Sequence, residues 1–354
     1  MSGTDDHHAI TVAIVTPLEP ELVQQIRDSG DHVQVLYEPD LLPPVRYPGD
    51  HAGVSGFARG TGGERRWRQM LERAEVFFGV PGDSAAGLAA AVHSNRNLRW
   101  VQATSAGAGE QVRAAALAPE ELERVTVTTA SGVHAGPLAE FCMLGLLYFI
   151  RGVPRLQADQ RAHRWDERPM GELSGRTLVI VGLGAIGNEV ARMAKAFGMH
   201  TIGINRRGHS DFAEIDAVHQ SDRLLDLLPQ ADAVVVTLPR TDETLGMLDA
   251  QALQCMRPGA VLVNVGRGAV IDEPALVQAL VEGRLSGAAL DVFSTEPLPT
   301  QSPLWDLPNV LITPHTAALS MRENERIVEL FIKNLRRYSS GEPLINRVDP
   351  QLFY

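Results

Sequence analysis

One segment constrains the fold of this chain more than any other: LVIVGLGAIGNEVARMAKAFG, residues 178–198. An apolar run leads into Gly182, Gly184 and Gly187, and an apolar-periodic helix pattern follows directly. In a strand–turn–helix unit the first glycine permits a tight turn, the second lets the backbone approach a pyrophosphate, and the third lets helix and strand pack closely. The helix start, at Ala185 and Ile186, would add free N–H groups and positive potential. The segment therefore predicts a dinucleotide-binding unit, and a turn without a ligand is the weaker alternative.

Strand-like and helix-like runs alternate along the rest of the chain, which is typical of parallel sheets covered by helices on both faces. Residues 40–63 are rich in Pro and Gly and predict a loop, and an apolar helix at 136–151 leads into a predicted Arg-rich loop ending at 172. A final amphipathic helix carries Ile327, Leu330, Phe331 and Leu335 on one face. Strands are predicted in two series, at 9–16, 33–37, 75–79, 98–103 and 125–129, and then at 177–181, 200–204, 233–237, 260–264, 287–292 and 310–313.

Composition excludes several classes of protein. The formal net charge is −11 and no dense Lys/Arg run occurs, which argues against a nucleic-acid partner. Only Cys142 and Cys255 are present, so we expect neither a disulfide scaffold nor a metal site built on thiolates. The start, MSGTDDHHAI, lacks the basic and apolar regions of a leader, and the apolar stretch at 141–150 is half the length of a membrane span. We therefore expect a cytoplasmic protein with no membrane association and no bound metal.

The residues after the second strand of the later series bear on the choice of nucleotide. An NAD-preferring site places an Asp or Glu there for the ribose 2′-hydroxyl, whereas this chain has Asn205, Arg206 and Arg207. Asn205 removes a carboxylate that would repel a 2′-phosphate, and two guanidinium groups could bind one. The alternative is that both arginines form a solvated loop face. We therefore favour NADP(H) over NAD(H).

Three side chains at predicted strand ends suit the reduction of a small anionic 2-keto acid. Arg267, in NVGRG, offers a permanent charge and a fork that matches a carboxylate. His315, in TPHTA, can exchange a proton near neutral pH, and Glu296, in STEPLP, can orient the imidazole. Flanking Gly266 and Gly268 are expected to let the backbone approach a ligand. The alternatives are a surface arginine, a structural histidine and an ordinary loop acid.

The order of these motifs resembles one known family. The glycine-rich turn, NVGRG, ALDVFSTEPLP and TPHTA follow one another as in the D-isomer-specific 2-hydroxyacid dehydrogenases, and PLAEF, TLPRTDET and SPLWDLPNV extend the similarity over nearly the whole chain. The resemblance implies that Arg267 holds the substrate carboxylate and keto oxygen, and that His315 donates the proton while Glu296 holds it. It further implies contacts to the cofactor from Thr237, Leu238, Pro239, Thr244, Val265, Gly266 and Asp291, the last to the nicotinamide carboxamide, and to the substrate carboxylate from Ala106, Gly107 and Ala108.

The resemblance also implies a domain organisation and an assembly. We expect an α/β protein of two parallel-sheet domains: a Rossmann NAD(P)-binding domain over residues 134–318, and a flavodoxin-like substrate domain over 1–133 plus 319–354. It implies a homodimer. Because some proteins of this fold are corepressors that bind partners in response to NAD(H), a cofactor-sensing binding protein is the alternative to an enzyme.

Overall fold

The computed structural model describes residues 9–351 and 353. The chain divides into two compact units: the first runs to His134 and resumes at Leu319, and the second is Ala135–Ala318. Each unit has its own sheet and its own apolar core.

Twelve strands occur in the described part of the chain, and every pairing between them is parallel. The strands are β1 (Ile10–Ile14), β2 (Val33–Leu36), β3 (Val76–Phe78), β4 (Trp100–Gln102), β5 (Thr126–Thr128), β6 (Thr177–Val181), β7 (His200–Ile204), β8 (Ala217–His219), β9 (Ala233–Val236), β10 (Ala260–Asn264), β11 (Leu285–Leu290) and β12 (Val310–Ile312).

Twelve α-helices connect these strands within residues 9–351. They are α1 (Pro20–Arg27), α2 (Gly60–Arg73), α3 (Ala85–Ser94), α4 (Ala108–Ala114), α5 (Pro119–Arg124), α6 (Ala135–Ile150), α7 (Val153–Arg161), α8 (Ala185–Ala196), α9 (Leu224–Leu227), α10 (Ala250–Cys255), α11 (Glu273–Val281) and α12 (Glu323–Ser339).

The second unit contains a seven-stranded sheet in the order β12-β11-β10-β9-β6-β7-β8. Counted from its own first strand, this is the 3-2-1-4-5-6 order of dinucleotide-binding sheets with one strand added beside the sixth. The first unit has the order β2-β1-β3-β4-β5, which is flavodoxin-like. The predicted fold class, two parallel-sheet domains of these two kinds, is confirmed.

All seven strands of the larger sheet end in one row of its hydrogen-bonded register. The residues of this row are His219, Ile204, Val181, Val236, Asn264, Leu290 and Ile312. The residue that follows each strand therefore emerges at the same edge of the sheet. That edge carries most of the side chains singled out by the sequence.

The sequence prediction of six strands in the second unit is wrong, because β8 was missed. This strand has only three residues, all partly exposed, at the edge of the sheet. Such a strand needs no continuous apolar run, so hydrophobic patterning does not reveal it.

Several helix predictions also need correction. The predicted Arg-rich loop after residue 151 contains α7, which starts after Gly152 in a left-handed conformation (φ +72°) with Pro154 in its first turn, where proline is well tolerated. Likewise α2 begins at Gly60, inside the predicted 40–63 loop. The sequence analysis assigned no element to the segment that forms α4 and α5.

Helix α6 lies against the sheet of its own unit through small residues. A Cβ atom on Gly145 would lie 2.7 Å from Ala289 Cβ, and one on Gly287 would lie 2.2 Å from the Phe149 ring. Burial raises the pKa of the Cys142 thiol on this helix far above its usual range. Among the described residues no single helix is long and apolar enough to cross a bilayer; α6 and α7 meet that test only as a pair bent by 58°.

Helix α12 completes the core of the first unit. Its buried face contains Ile327, Val328, Phe331 and Leu335, whereas Leu330, predicted on this face, is partly exposed. The Phe331 ring stacks on Trp100 with centroids 4.9 Å apart. The helix thus joins the sheet formed by the first 130 residues.

A buried polar network fixes the position of α12 on that sheet. The amide of Asn334 donates to Gln102 Oε1 (3.2 Å), which also accepts from the Thr128 hydroxyl (2.9 Å). The same Asn334 side chain bonds the backbone of Ile345 in both directions. Because Asn334, Gln102 and Thr128 are all fully buried, each lost bond leaves a group that water cannot satisfy.

Replacing Asn334 with Ala should therefore destabilise the first unit. We expect Asn334→Ala to lower the free energy of unfolding by about 2–3 kcal/mol, because it leaves buried partners unpaired. Urea denaturation measures the change. Lys333→Ala is the matched control, because Lys333 is the exposed neighbour on the same helix. It should change the free energy of unfolding by no more than about 0.5 kcal/mol. Equal unfolding midpoints for the two variants would contradict the role assigned to the network.

Candidate active site

The glycine-rich turn lies between β6 and α8, as the sequence predicts. Gly182 has φ +110°, and a Cβ atom there would lie 2.7 Å from the Thr237 hydroxyl oxygen, which donates to the Gly182 carbonyl at 2.9 Å. A Cβ atom on Gly187 would lie 2.0 Å from that same carbonyl oxygen. The first and third glycines are therefore required by the packing of the protein itself.

Gly184 has a different environment, which fits a bound dinucleotide. A Cβ atom built on it would meet nothing within 4 Å, so the space in front of this backbone is open. Gly184 is also the N-cap of α8, and no side chain within residues 9–351 caps this end of the helix. The N–H groups of Ala185 and Ile186 are thus presented at the positive end of a 12-residue helix, where a pyrophosphate binds favourably.

The loop after β7 is closed by the side chain of Asn205. Its Oδ1 accepts from the Gly208 N–H (2.7 Å) and its Nδ2 donates to the His209 carbonyl (2.9 Å). Arg206 and Arg207 are exposed in this loop, and the Arg206 guanidinium lies 3.9 Å from the Glu243 carboxylate. Sequence analysis treated Asn205 only as a missing carboxylate and did not identify Glu243.

The segment after β9 is held by its own hydroxyl groups. The Thr244 hydroxyl donates to the Pro239 carbonyl (2.6 Å) and accepts from the Thr241 N–H (2.8 Å), and Thr244 is buried. The Leu238 backbone contacts the next loop, since a Cβ atom on Gly266 would lie 2.5 Å from its carbonyl oxygen. The structure thus gives Thr244 a role in shaping the loop that could line the cofactor.

The turn after β10 presents Arg267. Asn264, buried at the end of the strand, accepts from the Gly266 N–H (3.0 Å) and donates to the Arg267 carbonyl (3.2 Å). Val265 is buried in the core, so only its backbone can face a ligand. The Arg267 guanidinium is half-buried and donates to the Gly266 carbonyl (2.8 Å), and within the described chain it forms no ion pair. It is therefore available to an anionic ligand.

The glycines beside Arg267 have a packing role that the sequence motif does not reveal. A Cβ atom on Gly268 would lie 1.9 Å from the Phe293 carbonyl carbon, and one on Gly266 would lie 2.5 Å from the Leu238 carbonyl oxygen. Both glycines are needed because neighbouring loops of the protein pack against them.

His315 and Glu296 lie in contact, as expected if Glu296 orients the imidazole. The imidazole Nδ1 lies 2.7 Å from Glu296 Oε2, while Oε1 of the same carboxylate accepts from the Phe293 N–H at 3.0 Å. Both side chains are partly accessible to solvent. With Nδ1 facing the carboxylate, Nε2 has no partner among the described residues and is the nitrogen that can meet a ligand.

The backbone at His315 was not predicted. Its φ is +54°, in the left-handed region that residues other than glycine rarely adopt. Asp291, buried just after β11, accepts at Oδ1 from the Thr313 hydroxyl (2.7 Å), the Thr316 N–H (2.8 Å) and the Ala317 N–H (3.0 Å). The sequence analysis assigned Asp291 to the cofactor and missed these bonds.

The predicted substrate loop lies in the first unit. Ala106 and Gly107 are exposed after β4, and Ala108 begins α4 with Gly107 as its N-cap. The N–H groups of Ala106 and Gly107 donate to no acceptor within residues 9–351. They are therefore free to bind an anion.

The second unit has the features of a dinucleotide-dependent oxidoreductase. Its sheet has the strand order of dinucleotide-binding proteins, its glycine turn is open to a pyrophosphate, and a His–Glu pair lies at the same sheet edge. Comparison with known proteins gives the family. Residues 143–317 match the model described as "D-isomer specific 2-hydroxyacid dehydrogenase, NAD binding domain". The chain is 37% identical over 234 residues to a glyoxylate reductase from Korarchaeum cryptofilum, an alignment that covers 64% of this chain and 70% of that protein.

Two further relatives agree. An (S)-sulfolactate dehydrogenase from Chromohalobacter salexigens is 35% identical over 60% of this chain and 70% of its own length. The crystal structure of a D-isomer specific 2-hydroxyacid dehydrogenase from Xanthobacter autotrophicus Py2, in complex with NADPH and MES, superposes with a TM-score of 0.74 at 27% identity, covering 98% of this chain and 100% of that chain. This chain belongs to the D-isomer specific 2-hydroxyacid dehydrogenase family. It is an NAD(P)-dependent oxidoreductase that acts on the CH–OH group, so the resemblance inferred from the motifs is confirmed.

The contrast between Gly184 and Gly187 provides a test of the nucleotide site. Gly184→Ala places a methyl group in the open space, so we expect the melting temperature to be unchanged and the Kd for NADP(H) to rise roughly tenfold, as for the loss of one charge-assisted contact. Nucleotide fluorescence or calorimetry measures binding. Gly187→Ala, the matched variant, should lower the melting temperature because its Cβ meets backbone. If Gly184→Ala binds the nucleotide as the wild type does, the pyrophosphate is not at this turn.

Proposed function

We propose that this enzyme reduces small 2-keto acids to D-2-hydroxy acids with NADPH, with Arg267, His315 and Glu296 as its catalytic groups. The observation that carries the proposal is the 2.7 Å contact between His315 Nδ1 and Glu296 Oε2, which leaves Nε2 unpaired. Arg267 follows β10, Glu296 follows β11 and His315 follows β12, and these three strands are neighbours in the sheet. Two strand spacings span about 10 Å, a distance that a small keto acid and two side chains can fill.

The reaction needs a proton on the substrate oxygen. A nicotinamide cofactor held at the turn of Gly182, Gly184 and Gly187 would supply the hydride for the carbonyl carbon. His315 Nε2–H then donates its proton to the carbonyl oxygen as negative charge develops there. Glu296 accepts the Nδ1–H bond throughout, which keeps the imidazole oriented and offsets its positive charge before transfer.

Arg267 would bind the carboxylate and polarise the carbonyl. Its guanidinium is permanently charged, and it has no internal ion pair to break among the described residues. The half-buried position strengthens its attraction for an anion relative to a fully solvated arginine. The contact to the substrate carboxylate that the family resemblance assigns to Ala106, Gly107 and Ala108 stays a prediction.

The role of His315 as the proton donor can be tested against a histidine of similar geometry. His93 also forms a His–Glu pair, with Nδ1 2.8 Å from Glu121 Oε1, but it lies on α3 of the first unit, whereas Arg267 and His315 both belong to the second. We expect His315→Asn to lower kcat for glyoxylate or hydroxypyruvate reduction by about 10²–10⁴-fold, the usual contribution of a general acid. His93→Asn is the matched control and should leave kcat unchanged.

The same kinetic measurements test the roles of Glu296 and Arg267. Glu296→Gln should lower kcat with little change in KM, whereas Arg267→Lys should raise KM and lower kcat, since lysine keeps the charge but loses the fork. Turnover that survives in His315→Asn across a panel of 2-keto acids would refute the proposed proton donor. No observation favours the cofactor-sensing binding protein considered as the alternative.

The preference for NADPH is supported by the loop after β7. It carries Arg206 and Arg207 and lacks a carboxylate at position 205, and the relative from Xanthobacter autotrophicus binds NADPH. A 2′-phosphate at this loop would form charge-assisted bonds to the guanidinium groups. The homodimer implied by the resemblance stays a prediction.

Replacing Arg207 should therefore affect one cofactor more than the other. We expect Arg207→Gln to raise the Kd for NADPH about tenfold or more, from the loss of a charge-assisted bond, while the Kd for NADH changes by less than about threefold. Titration of the two nucleotides measures both constants. Arg223→Gln, an exposed arginine paired with Asp226, is the control. Wild-type enzyme that prefers NADH would contradict the assignment.

A further inference from the structure

Asp291 has more contacts to the His315 turn than a cofactor ligand would need. One oxygen, Oδ1, accepts three hydrogen bonds from the residues on either side of His315: the Thr313 hydroxyl and the N–H groups of Thr316 and Ala317, at 2.7–3.0 Å. The Asp291 carbonyl also accepts from the His315 N–H at 2.9 Å. We propose that Asp291 is a positioning residue that holds His315 in its left-handed backbone conformation and so aligns the imidazole with Glu296.

The backbone conformation of His315 explains why such a clamp is needed. At φ +54° the Cβ of an L-residue is crowded by its own backbone, so neighbouring contacts must stabilise the turn. Glu296 is partly accessible to solvent and contacts only the end of the imidazole ring. Asp291 is buried and bonds the chain on both sides of His315, so it fixes the Cα–Cβ direction that the Glu296 contact alone leaves open.

The two carboxylate oxygens of Asp291 separate this role from cofactor binding. All side-chain hydrogen bonds that Asp291 accepts within the described residues end on Oδ1. Oδ2 is left for the nicotinamide carboxamide that the family resemblance assigns to this residue. An asparagine here should turn its oxygen toward the three donors and place its NH2 at the Oδ2 position. The variant would keep the turn and lose only the contact to the carboxamide N–H.

The inference rests on the proposed role of His315, and its test compares Asp291→Asn with Asp291→Ala. We expect Asp291→Asn to raise the Kd for the nucleotide and to keep the His315 turn. Asp291→Ala should weaken binding similarly and lower kcat about a hundredfold further, the cost of misplacing a reacting group by about 1 Å. Both are measured at saturating nucleotide, with kcat and KM determined separately.

The NMR resonances of His315 distinguish a loss of imidazole alignment from a general loss of folded structure. The imidazole nitrogen resonances of His315, identified by their loss in His315→Asn, report the bond from Nδ1 to Glu296. We expect them to be retained in Asp291→Asn and displaced in Asp291→Ala. The same displacement in Glu296→Gln would mark the broken pair.

If Asp291→Ala fails to fold, variants of Thr313 test the positioning role of Asp291 instead. Thr313→Val removes one donor to Oδ1 with little change of shape, and it should lower kcat several-fold while the Kd for the nucleotide stays at the wild-type value. Thr313→Ser restores a hydroxyl and should recover most of the lost kcat. Wild-type kcat in Thr313→Val, together with unmoved His315 resonances, would count against the clamp.

Different results would overturn the proton-donor role of His315 and the positioning role of Asp291. Full turnover in His315→Asn would remove the proton donor and with it the reason for aligning this residue. Loss of turnover in His315→Asn, combined with equal kcat and equal His315 resonances in Asp291→Asn and Asp291→Ala, would overturn only the role of Asp291.

Discussion

The parallel hydrogen-bond register of the larger sheet determines where its chemistry can occur. Because all seven strands end in one row, the next residue of each loop emerges at one edge. Along that edge lie Gly182, Asn205, Thr237, Val265, Asp291 and Thr313, each bonded through its N–H to the last residue of an adjacent strand. A slip of one strand by one residue would displace its loop by about 3.3 Å and exchange the sheet faces of its side chains. The positions of the glycine-rich turn, of the turn at Arg267 and of the turn at His315 thus all depend on the hydrogen bonds of this one sheet.

Much of this arrangement could be predicted from the sequence. The apolar strands of the second unit and the glycine turn have strong local patterns, and a polar residue directly after a buried strand marks the sheet edge. That reasoning identified Arg267, Glu296 and His315, and the structure places the last two in contact. Strand β8 and helix α7 have no comparable pattern: the first is a three-residue edge strand, and the second is a mostly polar segment with Pro154 in its first turn.

Other features depend on contacts between residues distant in sequence and could not be predicted. Asp291 reaches Oγ1 and N–H groups more than twenty positions away, and the φ of His315 follows from those bonds rather than from its own residue type. Gly266 and Gly268 resemble a ligand-binding pattern, yet the backbones of Leu238 and Phe293 require them. At these two positions the sequence motif does not show which neighbouring backbone occupies the space that a Cβ atom would need.

The division of the chain has a consequence for the order of its synthesis. The second unit is one continuous segment, so every residue of its sheet has been made by the time Ala318 is added. The first unit is interrupted: its strands are made first, but Trp100 and Gln102 lack their partners Phe331 and Asn334 until α12 has left the ribosome. An apolar sheet face therefore stays uncovered while some two hundred further residues are translated. The part of the protein that is translated first is thus the last to complete its core.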